Sequence, residues 1–195
     1  MYVTGLTGGV GSGKSLAAQM LAEKRNAELL ITDELGHIVM EKGGRCYDEI
    51  LEHFGTELVD TQGEIDRAKL AQKVFADEEE RSWLNRLIHP AVIDYVEKYI
   101  AGRRKQEGVI VLESALLFES GCDRLCDEIW YIFVSEEIRR KRLADSRGYS
   151  QEKITAILKR QMTETEFQKR SDVVIRNDGT PEELEQQILS KIKAQ

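Results

Sequence analysis

The chain has 195 residues, a length that suits one compact fold able to close a core without disulfide or metal staples. Charged residues make up 32% and hydrophobic residues 41%, which excludes a disordered chain. With 28 Lys and Arg against 35 Asp and Glu the formal net charge is −7, so a general coat for nucleic acid or for anionic membranes is excluded, while a local basic site is not.

The N-terminal run Met1-Tyr2-Val3-Thr4-Gly5 has no basic region or cleavage signal. The best apolar run, Ile129–Val134, is far shorter than the ~18 residues of a membrane span. Cys46, Cys122 and Cys126 are an odd set that suggests reduced thiols; Cys122 and Cys126 could form half a metal site, but no second Cys/His pair follows at ligand spacing. A cytoplasmic protein is expected.

In chain order, Val3–Leu6 reads as a short strand that opens onto a glycine-rich turn. Ser15–Lys24 reads as a helix with Leu16, Met20 and Leu21 on one face. Leu29–Ile31 is a second apolar run. From Asp66 to Glu107 the signals are helical, with one face carrying Leu70, Ala71, Val74 and Phe75, and another carrying Ala91, Val92, Tyr95, Val96, Tyr99 and Ile100. His89-Pro90 predicts a break between two helices there. Val109–Leu112, Ile129–Val134 and Val173–Ile175 are three further apolar runs. Such continuous runs fit strands buried on both faces, so the pattern predicts an α/β fold: a parallel sheet of five strands covered by helices, with a helical insertion. Thr180, Pro181 and Glu183 spell the start of a last helix.

The strongest local signal is Gly8-Gly9-Val10-Gly11-Ser12-Gly13-Lys14-Ser15, which matches G-x-x-x-x-G-K-[ST] between a strand and a helix. Glycines let backbone N–H groups curl onto phosphate oxygens, and the helix adds the positive end of its dipole. Lys14 reaches the β- and γ-phosphates, and the Ser15 hydroxyl is a ligand for Mg²⁺. This is the pattern of a P-loop, so nucleotide binding is expected, the alternative being a glycine-rich turn with no ligand. No Asn-Lys-x-Asp guanine motif accompanies it, and the length suits a small-molecule kinase.

A kinase needs an acid near the attacking hydroxyl and arginines around the transferring phosphoryl group. Asp33 follows the second strand, at the carboxyl end of the sheet where ligands bind. It either takes or orients the proton of an acceptor hydroxyl, or caps the next helix; Glu34 is the fallback. Glu113 ends the third run, where an acid commonly holds Mg²⁺ or substrate. Arg139, Arg140, Lys141, Arg142 and Arg147 suit an anion clamp or a solvated basic face; Arg142 and Arg147 are the stronger candidates, and Arg147 stands at a lid tip beside Gly148-Tyr149. Asn177-Asp178-Gly179 is a turn that could also set backbone groups against an adenine ring.

These motifs resemble the dephospho-CoA kinase family. The resemblance rests on Gly5–Ser15, Thr32-Asp33-Glu34-Leu35-Gly36-His37, Leu87-Ile88-His89-Pro90, Leu116-Leu117-Phe118-Glu119-Ser120-Gly121, Arg139-x-x-Arg142-Leu143, Arg147, Arg160-Gln161-Met162 and Asn177-Asp178-Gly179, in order along nearly the whole chain. It implies a P-loop core at about 1–60, 108–138 and 171–195, a helical substrate-binding insertion at about 61–107 and a lid at about 139–170. It implies transfer of the ATP γ-phosphoryl group to the ribose 3′-hydroxyl of dephospho-CoA, with Asp33, Lys14 and Arg142 catalytic. The implied nucleotide contacts are Gly9, Val10, Gly11, Ser12, Gly13, Lys14, Ser15, Leu16, Arg142, Arg147, Asn177 and Gly179. Asp33, His89, Glu113 and Leu116 would meet the substrate, and Ser15 and Glu113 the Mg²⁺. The expected partner is a small molecule rather than nucleic acid or membrane, and a monomer is favoured. Three positions depart from the family's habit: Ile31 replaces a first Asp after strand two, Ala115 a Pro, and Leu16 a Thr. The first leaves Asp33 as a single carboxylate. Kinases for another small hydroxyl compound or a nucleoside monophosphate, and a nucleotide-binding regulatory module, are the alternatives.

Overall fold

The computed structural model describes residues 1–192, so the last three positions of the expected core lie outside the described residues. The chain forms two compact units, one made of Met1–Ile31 with the chain from Arg103 onward, the other of Thr32–Gly102.

The first unit holds the sheet. Its strands are β1 (Tyr2–Thr7), β2 (Glu28–Ile31), β3 (Val109–Glu113), β4 (Glu128–Phe133) and β5 (Val173–Arg176), all parallel in the order β2-β3-β1-β4-β5. The five predicted runs are these five strands, each within a residue or two. The helices of this unit are α1 (Lys14–Arg25), then, beyond the second unit, α6 (Glu136–Arg147), α7 (Gln151–Arg160), α8 (Glu164–Arg170) and α9 (Pro181–Ile192). The second unit contributes α2 (Thr32–Ile38), α3 (Tyr47–Phe54), α4 (Arg67–Ala76) and most of α5 (Glu78–Arg103).

β4 shows why continuous apolar runs become two-sided strands. Trp130 and Ile132 join Leu6, Val111, Ile175 and the α1 and α9 residues Ala18, Leu21, Leu184 and Ile188 in one core. Tyr131 and Phe133 point to the other face and pack with Phe118 and Phe167 of the opposite layer. The Tyr131 and Phe167 rings stack at 4.8 Å, and burial pushes the Tyr131 hydroxyl up to about 12. The start of β1 is tied down: Val3 N–H donates to Asp127 Oδ2 at 2.7 Å, and Arg104 Nη1 donates to the same oxygen at 2.6 Å. The predicted start of the last helix is a capping box, with Glu183 N–H donating to Thr180 Oγ1 at 3.3 Å and Thr180 N–H to Glu183 Oε2 at 3.0 Å.

The structure corrects three details. Leu16 is 40% exposed; α1 buries Ala17, Ala18, Leu21 and Ala22 instead, because small side chains let the helix lie close to the sheet. Phe75 is also exposed, and only Leu70 of its predicted face is fully buried. Pro90 does not divide two helices. α5 runs straight through it for 26 residues, with Leu84 buried before it and Ala91, Val92, Val96 and Ile100 buried after it. One continuous buried stripe outweighs the ~3 kcal/mol cost of an internal proline. The second compact unit, Thr32–Gly102, holds α2 and α3 as well as most of the segment expected as the helical insertion. Among the described residues no helix is long and apolar enough to cross a membrane.

Candidate active site

The loop between β1 and α1 is built around the predicted glycines. Ser12 N–H turns back to donate to the Gly9 carbonyl at 3.1 Å. Gly13 caps α1 in the left-handed region at φ 78°, with no side chain bonded to the helix's first N–H groups and no acid in its first turn. An uncapped helix start without a carboxylate is a site for an anion. The Ser12 hydroxyl is buried and takes no hydrogen-bond partner among the described residues, as does Thr7 Oγ1 at the other end of the loop.

Lys14 and Ser15 converge on one acid. Lys14 Nζ lies 3.9 Å from Glu113 Oε1, and Ser15 Oγ donates to Glu113 Oε2 at 3.3 Å. Glu113 is 2% exposed and closes β3, where the parallel ladder pairs it with Leu6 of β1 on one side and Ile31 of β2 on the other. A carboxylate this buried requires a cation or donors around it; Lys14 and Ser15 supply both. Two hard oxygen donors this close suit a small divalent cation such as Mg²⁺.

The arginines take distinct places. Arg139 donates from Nε to the Val10 carbonyl at 3.1 Å and from Nη2 to Gln161 Oε1, and that same Gln161 oxygen accepts the Val10 N–H at 3.3 Å. Both backbone groups of Val10 are therefore satisfied by side chains more than 100 residues away. A Cβ at Gly9 would overlap the Arg139 guanidinium as it stands, so a larger residue there would push Arg139 and Gln161 out of these contacts. Burial pushes the Arg139 guanidinium below its usual range, against the opposing pull of Tyr131, Glu136 and Glu164. Arg142 donates to the Asn177 carbonyl at 2.9 Å, and Asn177 in turn donates from Nδ2 to the Ser12 carbonyl at 2.8 Å. Arg140 is occupied with Glu136 and Thr155. Arg147 is exposed at the end of α6, its guanidinium 5.9 Å from the Tyr149 ring centre.

Of the residues singled out in the sequence, Gly9–Ser15, Glu113, Arg142 and Asn177 thus form one connected site. Asn177 is 5% exposed and grips the loop with its side chain. Gly179 precedes the capping box of α9, Leu116 is 43% exposed, and Leu16 faces solvent. Asp33 lies in the first turn of α2, two residues past Ile31, and is exposed; His89 is exposed on α5. Arg139 and Gln161 are the contacts that motif reading did not assign. The basic cluster contained Arg139, but nothing local marks which of its members turns inward.

A strand, a glycine-rich loop and a helix, with a lysine and a serine meeting a buried acid at the end of the third strand, define a P-loop kinase. A family model described as dephospho-CoA kinase matches residues 2–183. Dephospho-CoA kinase from Geobacillus kaustophilus is 38% identical over 193 residues, covering 97% of this chain and 94% of that one. The solved dephospho-CoA kinase from Campylobacter jejuni superposes with a TM-score of 0.74 at 23% identity, over 98% and 95% of the two chains. Shikimate kinase from Acinetobacter baumannii shares the fold, with a TM-score of 0.59 at 16% identity, over 100% and 94% of the two chains. The chain belongs to the dephospho-CoA kinase family, whose members carry out the last step of coenzyme A synthesis. It is a kinase that uses ATP and acts on a small molecule.

Proposed function

We propose that this chain moves the γ-phosphoryl group of ATP to the ribose 3′-oxygen of dephospho-CoA through the residues described above. The observation that carries the reading is the meeting of Lys14 and Ser15 at the buried Glu113 beside the P-loop. The backbone of Gly9–Ser15 cradles the polyphosphate, and Lys14 pairs with its β- and γ-oxygens. Ser15 and Glu113 would hold Mg²⁺, which when bound neutralises charge on the phosphates. Asp33 accepts the proton of the 3′-hydroxyl as that oxygen bonds to the γ-phosphorus. The bond from that phosphorus to the β,γ-bridging oxygen breaks, and ADP leaves with the bonding electron pair. Asp33 suits this task because it is exposed and takes no hydrogen-bond partner among the described residues.

Arg142, with Arg147 from the tip of the 139–170 segment acting as a lid, neutralises the transferring group. Asn177 and Gly179 border the nucleotide, while His89 and Leu116 contribute to acceptor binding. The acidic balance of the chain supports a small-molecule partner rather than nucleic acid, and the cytoplasm and a monomer belong to the same reading. An acceptor panel tests it: ADP release should depend on dephospho-CoA and not on shikimate, gluconate or a nucleoside monophosphate. Equal or greater turnover with one of the latter would overturn the acceptor assignment.

A further inference from the structure

Asp33 and His37 stand four residues apart on α2 and therefore share a face of that helix; both are exposed. Arg67, the first residue of α4, reaches the second of them: its Nη1 lies 3.1 Å from His37 Nδ1. A guanidinium only donates, so Nδ1 is the acceptor in this contact. The remaining donors of Arg67 take no partner among the described residues. Next to the pair is a cavity of about 300 Å³ lined by His37, Met40, Glu41, Glu64, Ile65 and Arg67. Neither of the cavity's two carboxylates is bonded to Arg67: Glu64 Oε2 accepts the Lys42 N–H at 3.0 Å, and Glu41 is exposed to water.

The acceptor carries a diphosphate on the 5′-carbon of the ribose whose 3′-oxygen reacts. The helix rise from residue 33 to residue 37 is about 6 Å, a length comparable to the reach from a ribose 3′-oxygen to its own 5′-phosphate. We infer that Arg67, held in place by His37, binds the 5′-diphosphate of the acceptor and so fixes which hydroxyl meets Asp33. This rests on the reading of Asp33 given above. A planar guanidinium suits the task because it engages phosphate oxygens in pairs.

Steady-state kinetics with the full chain at saturating ATP separate the two claims. Arg67→Met should raise the KM for dephospho-CoA about 10- to 100-fold, with kcat within about threefold and the KM for ATP unchanged. Arg67→Lys should recover part of the loss, since it keeps the charge and loses the fork. Asp33→Asn should lower kcat and leave the KM for dephospho-CoA near wild type. A normal kcat in that variant removes the base role without touching the Arg67 result. An unchanged KM for dephospho-CoA in Arg67→Met, or an equal rise in the KM for ATP, overturns the clamp whatever Asp33→Asn does. The wild-type enzyme supplies an independent check: its KM for dephospho-CoA should rise with salt, and a flat salt response would also overturn the clamp.

Discussion

Asn177 donates from Nδ2 to the carbonyl of Ser12 at 2.8 Å, which fastens the turn after β5 to the P-loop across 165 residues of sequence. The same residue accepts Arg142 on its carbonyl at 2.9 Å and donates its N–H to Phe133 at 2.8 Å. Asn177→Ala strips the Ser12 carbonyl of this donor inside a buried residue. The loss should cost ~1–3 kcal/mol and weaken ATP binding as the loop loosens. Urea denaturation and calorimetric titration with ATP measure the two effects; wild-type values in both would contradict the linkage.

Gly13 carries a double constraint. Its φ of 78° costs an ordinary residue ~1–2 kcal/mol, and a Cβ there would stand 2.5 Å from Asn177 Nδ2. Gly13→Ala should therefore unfold more readily than Asn177→Ala and lose at least tenfold in ATP affinity. In the double variant Gly13→Ala with Asn177→Ala the overlap is gone and only the backbone strain remains, so the two losses should be less than additive. Simple additivity in the denaturation midpoints would contradict the clash.

The pH response of stability has a specific source at Asp127. Burial pushes its carboxyl up, but the Arg104 guanidinium and the Val3 N–H outweigh that and hold it below the usual carboxylate range. A group with a depressed folded value stabilises the fold above its unfolded pKa of about 4, and that contribution disappears as the pH falls through the folded value. The pair is partly open to solvent, so the effect is at most ~1 kcal/mol. Asp127→Asn should melt below wild type at pH 7, and the two melting temperatures should converge as the pH drops toward 3. A gap that stays constant with pH would contradict this origin.

Much of the fold was legible because a two-sided parallel strand leaves a continuous apolar run, and each of the five runs became a strand. The P-loop was legible because its glycines, lysine and serine are adjacent in sequence. Pro90 misled because local backbone cost was weighed without the buried stripe from Leu84 to Ile100 that pays for it. Leu16 and Phe75 misled because helical spacing names a face without saying how wide the buried part is. The inward roles of Arg139 and Gln161, both of which stand in the family motifs, were illegible for a different reason. Their contacts with Val10 span 129 and 151 residues and depend on how α6 and the end of α7 pack, which no local pattern encodes.

The central claim is that a single carboxylate, Asp33, acts on the acceptor while the P-loop holds ATP independently of it. Asp33→Asn measures this most directly, with turnover of dephospho-CoA and calorimetric binding of ATP recorded on the same preparation. The account predicts a fall in kcat of roughly 10²–10⁴-fold with ATP affinity unchanged. Turnover near the wild-type rate, or a loss of ATP binding that matches the loss of turnover, would contradict it.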